Sequence, residues 1–266
     1  MSDTPTPPRA SRARDRLQAW LDEETINTEY DRLAARAARQ LFFRIAEVRP
    51  KVTPSTPDGH PYWDWRAALQ HPLFVSAVEA WFERRLRLSP RAGEHGQFRG
   101  GFFGLGDGGF LFSSMIGTGM KMPFVSIGRR KKMSEHFPNE GDLVAAEMGG
   151  PAYRTRENNP MVLPAHIRGD IDGEPKKAIL LDDTFDRFGT VAKCVDLVQQ
   201  QGFEVIAVMA ILRIKPKDGE RVLEHQRLLD EEVGVHWLVE ATEEELRELM
   251  NAERQFNPFA VPNQPA

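Results

Sequence analysis

KKAILLDDTFDRFGT, Lys176 to Thr190, carries an apolar run into two adjacent carboxylates, Asp182 and Asp183, and closes on a Gly-Thr pair after a third acid, an Arg and a Phe. Ala178 to Leu181 read as a buried strand, and the following GTVAKCVDLVQQQG reads as a helix closed by Gly202. Working outward, GGFFGLGDGGFLFSSMIG gives a strand, a Gly-rich turn and a helix start, and MPFVSIG gives the next strand. Downstream, FEVIAVMAILRI is a longer strand and EVGVHWLVEA a late one, before the capped helix TEEELRELM. Near-continuous apolar strands alternating with helices predict an α/β core whose mostly parallel sheet is flanked by helices on both faces.

The N-terminal part is written in a different style. In TEYDRLAARAARQLFFRIAEV, Tyr30, Leu33, Ala37, Leu41, Ile45 and Val48 recur at helical spacing. A Pro-rich break follows, and PLFVSAVEAWFERRLRL then predicts a second helix with Phe74, Val78, Trp81 and Phe82 on its apolar side. The expected organisation is a flexible segment over 1–15, a helical hood or interface region over 16–99, the α/β core over 100–250 and a tail over 251–266.

Composition is that of an ordinary globular chain: 41% hydrophobic and 28% charged residues over 266, with a formal net charge of -4. That balance makes no global case for nucleic acid or an anionic membrane; only the run GRRKK offers a local basic patch. A single cysteine, Cys194, rules out an internal disulfide and reads as a buried structural thiol. No apolar run approaches the roughly 18 residues a membrane span needs. The N-terminus lacks an apolar signal core, so a cytoplasmic location is expected. The histidines show no His-x-x-x-His pair, and His225 and His236 are expected on a helix face and in the late strand, as structure.

In a doubly wound sheet, ligands sit outside the carboxyl ends of the strands, where Asp182 and Asp183 are expected. Two adjacent carboxylates repel unless a cation or ligand hydroxyls receive them, and the helix start after Asp186 favours an anion. Acids beside an anion cradle suit a sugar phosphate.

This pattern resembles the signature of the type I phosphoribosyltransferases: four apolar residues, two acids, and a loop ending in Gly-Thr before a helix. GLGDGG, Gly104 to Gly109, resembles that family's pyrophosphate loop, and MPFVSIGRRKKMSEH resembles the strand and basic loop of its orotate branch. The resemblance implies that Asp182 and Asp183 bind the ribose hydroxyls of phosphoribosyl pyrophosphate (PRPP) and order Mg2+. It places Arg187, Phe188, Gly189 and Thr190 around the 5-phosphate of PRPP, Asp186 where the purine-salvage branch has its base-contacting Asp, and Gly106, Asp107, Gly108, Gly109, Arg130 and Lys131 at the pyrophosphate. It gives chemistry to Asp186, Lys131 and His136, and it implies a homodimer. The chain departs from the family at Arg187 and Phe188, where small residues stand, and at Ser134, where the orotate branch has a lysine. The implied activity is transfer of phosphoribosyl to a nucleobase or related nitrogen. The alternative is a catalytically altered protein that binds PRPP or a ribose-phosphate nucleotide in a regulatory or bacterial toxin or defence role.

Overall fold

A computed structural model describes residues 36, 38–45, 47–53, 56–64, 68, 70–88, 100–145, 160–169, 176–217 and 222–251. A seven-stranded sheet has the spatial order β5 (Leu143–Ala145), β6 (Met161–Pro164), β4 (Phe124–Arg129), β3 (Gly100–Leu105), β7 (Lys177–Phe185), β8 (Glu204–Ile214) and β9 (Gly234–Ala241). From β4 to β9 every pairing is parallel, and β6 and β5 add an antiparallel margin. The expected mostly parallel sheet is therefore present, and the short antiparallel strands are additions to it.

Alternate residues of the central strands feed two separate cores. Phe102, Ile179 and Leu181 enter one, while Phe103, Ala178 and Leu180 enter the other. Burial on both faces is why these strands read as continuous apolar runs and not as alternation. Helices α5 (Gly189–Gln200) and α6 (Leu223–Asp230) cover one face through Val191, Val195, Leu197 and Leu228. The opposite face carries α3 (Gly106–Met120) and α7 (Glu243–Asn251). At the start of α7, Glu245 N–H donates to Thr242 Oγ1 at 3.1 Å and Thr242 N–H donates to Glu245 Oε2 at 2.8 Å, a reciprocal cap.

The N-terminal part shares the core of Phe102, Ile179 and Leu181. Helical residues 38–45 (α1) contribute Ala38, Phe42 and Ile45, and α2 (Pro72–Leu88) contributes Phe74, Val78 and Phe82. The earlier portion of the helix expected from Thr28 lies outside the described residues. That helix ends sooner than expected: Val48 belongs to a hairpin, β1 (Glu47–Thr53) with β2 (Thr56–Asp64). The Pro-rich break is thus a pair of strands. Pro50 and Pro61 are tolerated because they face one another, and two residues without N–H can oppose one another only where the ladder uses no bond.

The connections fix where a ligand can sit. From β3 the chain crosses through α3 to β4 on one side, whereas from β7 it crosses through α5 to β8 on the other. The strand order therefore reverses between β3 and β7, and their C-terminal loops part to leave a crevice.

Candidate functional site

The crevice is a cleft of about 1270 Å3, walled by the turn after β3, the end of β7 with its loop, the basic turn after β4, and Tyr62 of β2. Its floor depends on glycines. A Cβ at Gly109 would strike the Leu181 carbonyl oxygen, and one at Gly104 would strike Gly109 and Ser113, so only glycine lets the first turn of α3 lie directly on β3 and β7. This contact explains why a segment as glycine-rich as α3 is helical at all, against a penalty of about 1 kcal/mol for each glycine. Gly106, at φ +63°, opens the helix in the left-handed region.

Asp183 rests on this floor: its carboxyl group occupies the space a Cβ of Gly108 would need. Asp182 lies alongside, its Oδ1 accepting the Asp183 amide at 2.9 Å. Burial, and then the neighbouring Asp183 charge, hold the Asp182 carboxyl well above the usual carboxylate range. A cation or hydroxyl donors arriving at this pair would favour the ionised form of Asp182.

Past the acids, Asp186 and Arg187 are exposed and line the cleft, as do Phe188 and, at the start of α5, Gly189 and Thr190. Phe188 takes the left-handed conformation, φ +56° and ψ -4°, the strained choice for a residue standing where the family pattern has a small one. Its ring is 2% exposed, packed on Phe185 at 4.8 Å and stacked on His225 at 4.6 Å. The ring is thus turned into the core, and the first amides of α5, which have no partner within their own helix, stay at the cleft wall.

On the opposite wall Arg129, Lys132, Met133 and His136 all face the cleft. They recur at the spacing of one helical face, beginning with the last residue of β4 and continuing through α4 (Arg130–Met133) and its closing turn. Arg130 and Lys131, expected at the pyrophosphate, fall between these positions and do not line the cleft; Arg129 and Lys132 stand there instead. Ser134 Oγ donates to the Arg130 carbonyl at 2.7 Å, closing the turn. Lys132 forms an ion pair with Asp107 across the cleft mouth, joining the basic turn to the glycine turn.

Sequence reasoning also passed over Tyr62, Lys193 and Glu224, which line the cleft as well. Lys193 stands one turn into α5 from Gly189, a spacing that was legible; Tyr62 was hidden by the misread hairpin. Arg129, Lys132, Arg187 and Lys193 face Asp107, Asp182, Asp183, Asp186 and Glu224 among the described lining residues. That near balance suits a ligand with both hydroxyl or metal-bound and anionic ends better than a bare anion. Cys194 is fully buried, its thiol pushed up by burial and then by Asp182, and has no access to the cleft.

No family model and no curated protein matches the chain. Solved structures do. Adenine phosphoribosyltransferase from Leishmania tarentolae superposes with a TM-score of 0.60 at 21% identity, over 80% of this chain and 90% of that one. The enzyme from Trypanosoma brucei, in complex with AMP, pyrophosphate and ribose-5-phosphate, gives 0.58 at 18%, over 86% and 87%. That from Saccharomyces cerevisiae, complexed with an imino-altritol bisphosphate and adenine, gives 0.54 at 17%, over 76% and 99%. The fold is that of the type I phosphoribosyltransferases. The likeness does not select the orotate branch that the basic loop suggested.

Proposed function

We propose that the cleft binds PRPP with Mg2+ and transfers its ribose 5-phosphate to a ring nitrogen of a nucleobase. The observation that carries this reading is the meeting, at the reversal of strand order, of the Asp182–Asp183 strand end, the glycine turn against which Asp183 rests, and the start of α5. Asp182 and Asp183 would receive the ribose hydroxyls. The amides of Gly108 and Gly109, with Arg129 and Lys132, would receive the diphosphate, and Gly189 and Thr190 with Arg187 the 5-phosphate. The C1–O bond to diphosphate breaks as the C1–N bond forms, with charge developing on the departing oxygens where the cationic wall stands. Asp186 would take the proton the acceptor nitrogen loses, and His136 would meet the leaving group. Lys131, off the cleft, has no role in this scheme.

Among the described residues no three His, Cys, Asp or Glu side chains cluster as a cage. Two adjacent carboxylates fit Mg2+ as a shared ion, held by one or two acids with substrate oxygens completing its shell. When bound, it would offset the charge of the diphosphate. Adenine, the base of the structurally similar enzymes, is the first acceptor to test. Homodimerisation belongs to the same proposal and is read by light scattering.

A second reading, ligand sensing without turnover, is favoured by the displacement of Lys131 from the cleft and by the altered loop at Phe188. Calorimetry with PRPP and with ribose 5-phosphate, each with and without Mg2+, followed by pyrophosphate release in the presence of adenine, separates the two. Binding with release supports the transferase, and binding without release for any of adenine, guanine, hypoxanthine and orotate supports the sensor. A protein that binds neither compound overturns both.

A further inference from the structure

The turn that leads from β7 into α5 holds its left-handed residue without glycine. Glycine adopts this conformation at no steric cost, whereas phenylalanine needs its surroundings to hold it there. Those surroundings are aromatic: Phe185, three residues upstream at 4.8 Å, and a group that comes from elsewhere in the chain. His225, on α6, lies 4.6 Å from the Phe188 ring at an interplanar angle of 13°, a parallel stack. Trp237 of β9 braces His225 edge-on at 6.1 Å and 81°, and the Arg213 guanidinium sits 4.1 Å over the Trp237 ring while pairing with Glu240 at 3.3 Å. Burial and then the Arg213 charge lower the His225 pKa, which favours a neutral ring in the stack.

We propose that His225 is a positioning residue for the phosphate-binding turn: its stack on Phe188 supplies the conformational hold that a glycine would make unnecessary, so that α6 and the start of α5 present the turn to the ligand as one unit. The Phe188 carbonyl accepts the Ala192 amide at 2.9 Å, so the set of this one residue aims the first turn of α5, with Gly189 and Thr190 in it. His225 itself does not line the cleft and acts through Phe188, although its neighbours Val222 and Glu224 do line it. This inference rests on the reading of that turn as the phosphate site.

The test is a double-mutant cycle of His225→Ala and Phe188→Gly, with His225→Phe as the conservative variant. Calorimetry with ribose 5-phosphate should show His225→Ala raising Kd about tenfold in the parent and less than twofold in the Phe188→Gly background, where the turn needs no hold; His225→Phe should keep the parent Kd. An equal loss in both backgrounds, or none in either, overturns the proposal. Should the parent bind neither ribose 5-phosphate nor PRPP, the functional reading fails, and the hold is read from the unliganded protein by hydrogen exchange of the Ala192 amide. His225→Ala should speed that exchange about tenfold in the parent and leave it unchanged in the Phe188→Gly background. Equal acceleration in both overturns the positioning role independently of any ligand.

Discussion

Two neighbouring glycines at the start of α3 should separate ligand binding from folding when each is replaced by alanine. At Gly109 the new methyl would meet the Leu181 carbonyl oxygen, with the carbonyl carbons of Gly104 and Leu181 at 3.1 and 3.2 Å, all backbone of two central strands. Neither strand can yield, so the helix must lift. Overpacking costs about 1–3 kcal/mol and a rigid neighbour belongs at the top of that range, while alanine recovers about 1 kcal/mol of helix propensity. The net loss should be roughly 2 kcal/mol, read as a lower urea midpoint. At Gly108 the methyl meets a single side chain, that of Asp183, whose carboxyl group can rotate away while its Cβ, at 3.0 Å, gives slightly. Stability should then stay level or rise by up to about 1 kcal/mol. The displaced carboxylate no longer meets the ligand, and losing charge-assisted hydrogen bonds of about 1.5–3 kcal/mol should weaken Mg-PRPP roughly ten- to hundredfold by calorimetry. A Gly108→Ala protein that binds like the parent refutes the placing of Asp183 on α3, and a Gly109→Ala protein that resists urea like the parent refutes the packing of α3 on the Leu181 carbonyl.

Three further outcomes are expected. Because the folded-state pKa of Asp182 is raised, its contribution to stability is complete below the unfolded value near 3.8 and is lost as pH rises through the folded one; Asp182→Asn should raise Tm at neutral pH, by about 2–4 °C per kcal/mol relieved, with the gain vanishing in acid and Mg-PRPP binding abolished. A Tm at or below the parent's at pH 7 contradicts this. Burial, then the Arg85 charge, push His236 down to about 3, so its contribution is present above its unfolded value of 6.5 and is lost as pH falls, by about 2 kcal/mol between pH 6.5 and 5; an NMR titration placing the imidazole near 6.5 rejects it. Arg187→Ala should weaken PRPP and ribose 5-phosphate about tenfold and leave adenosine unchanged, and equal loss for all three removes Arg187 from the phosphate site.

What was legible in the chain follows from how strongly local chemistry constrains it. Ala178 to Leu181 read as a strand buried on both faces and are one; the two acids follow where pairing with β3 stops, although the strand itself runs on through Phe185 beside β8. The basic loop was read as a composition, Arg and Lys together, when its information lay in spacing: Arg129, Lys132 and His136 share a face that Arg130 and Lys131 do not. The hairpin was missed because proline opposes strands in general, and only the partner's identity shows that Pro50 is harmless. Phe188 stood out in the sequence as a large residue at a small residue's place, but the ring that stacks on it comes from α6, and such a tertiary hold leaves no mark in the local sequence.

The facing prolines of the hairpin also act by exclusion. A slip of one residue would turn one strand over and carry its proline to a position where the ladder demands an N–H, so neighbouring registers are penalised rather than the native one rewarded. More than the hairpin depends on this. Tyr62 lines the cleft while Trp63, beside it, is 2% exposed against Phe42 and Phe74. Were β2 the strand turned over, the two aromatics would exchange places, so a pair of residues that touch no ligand decides which of them a ligand meets.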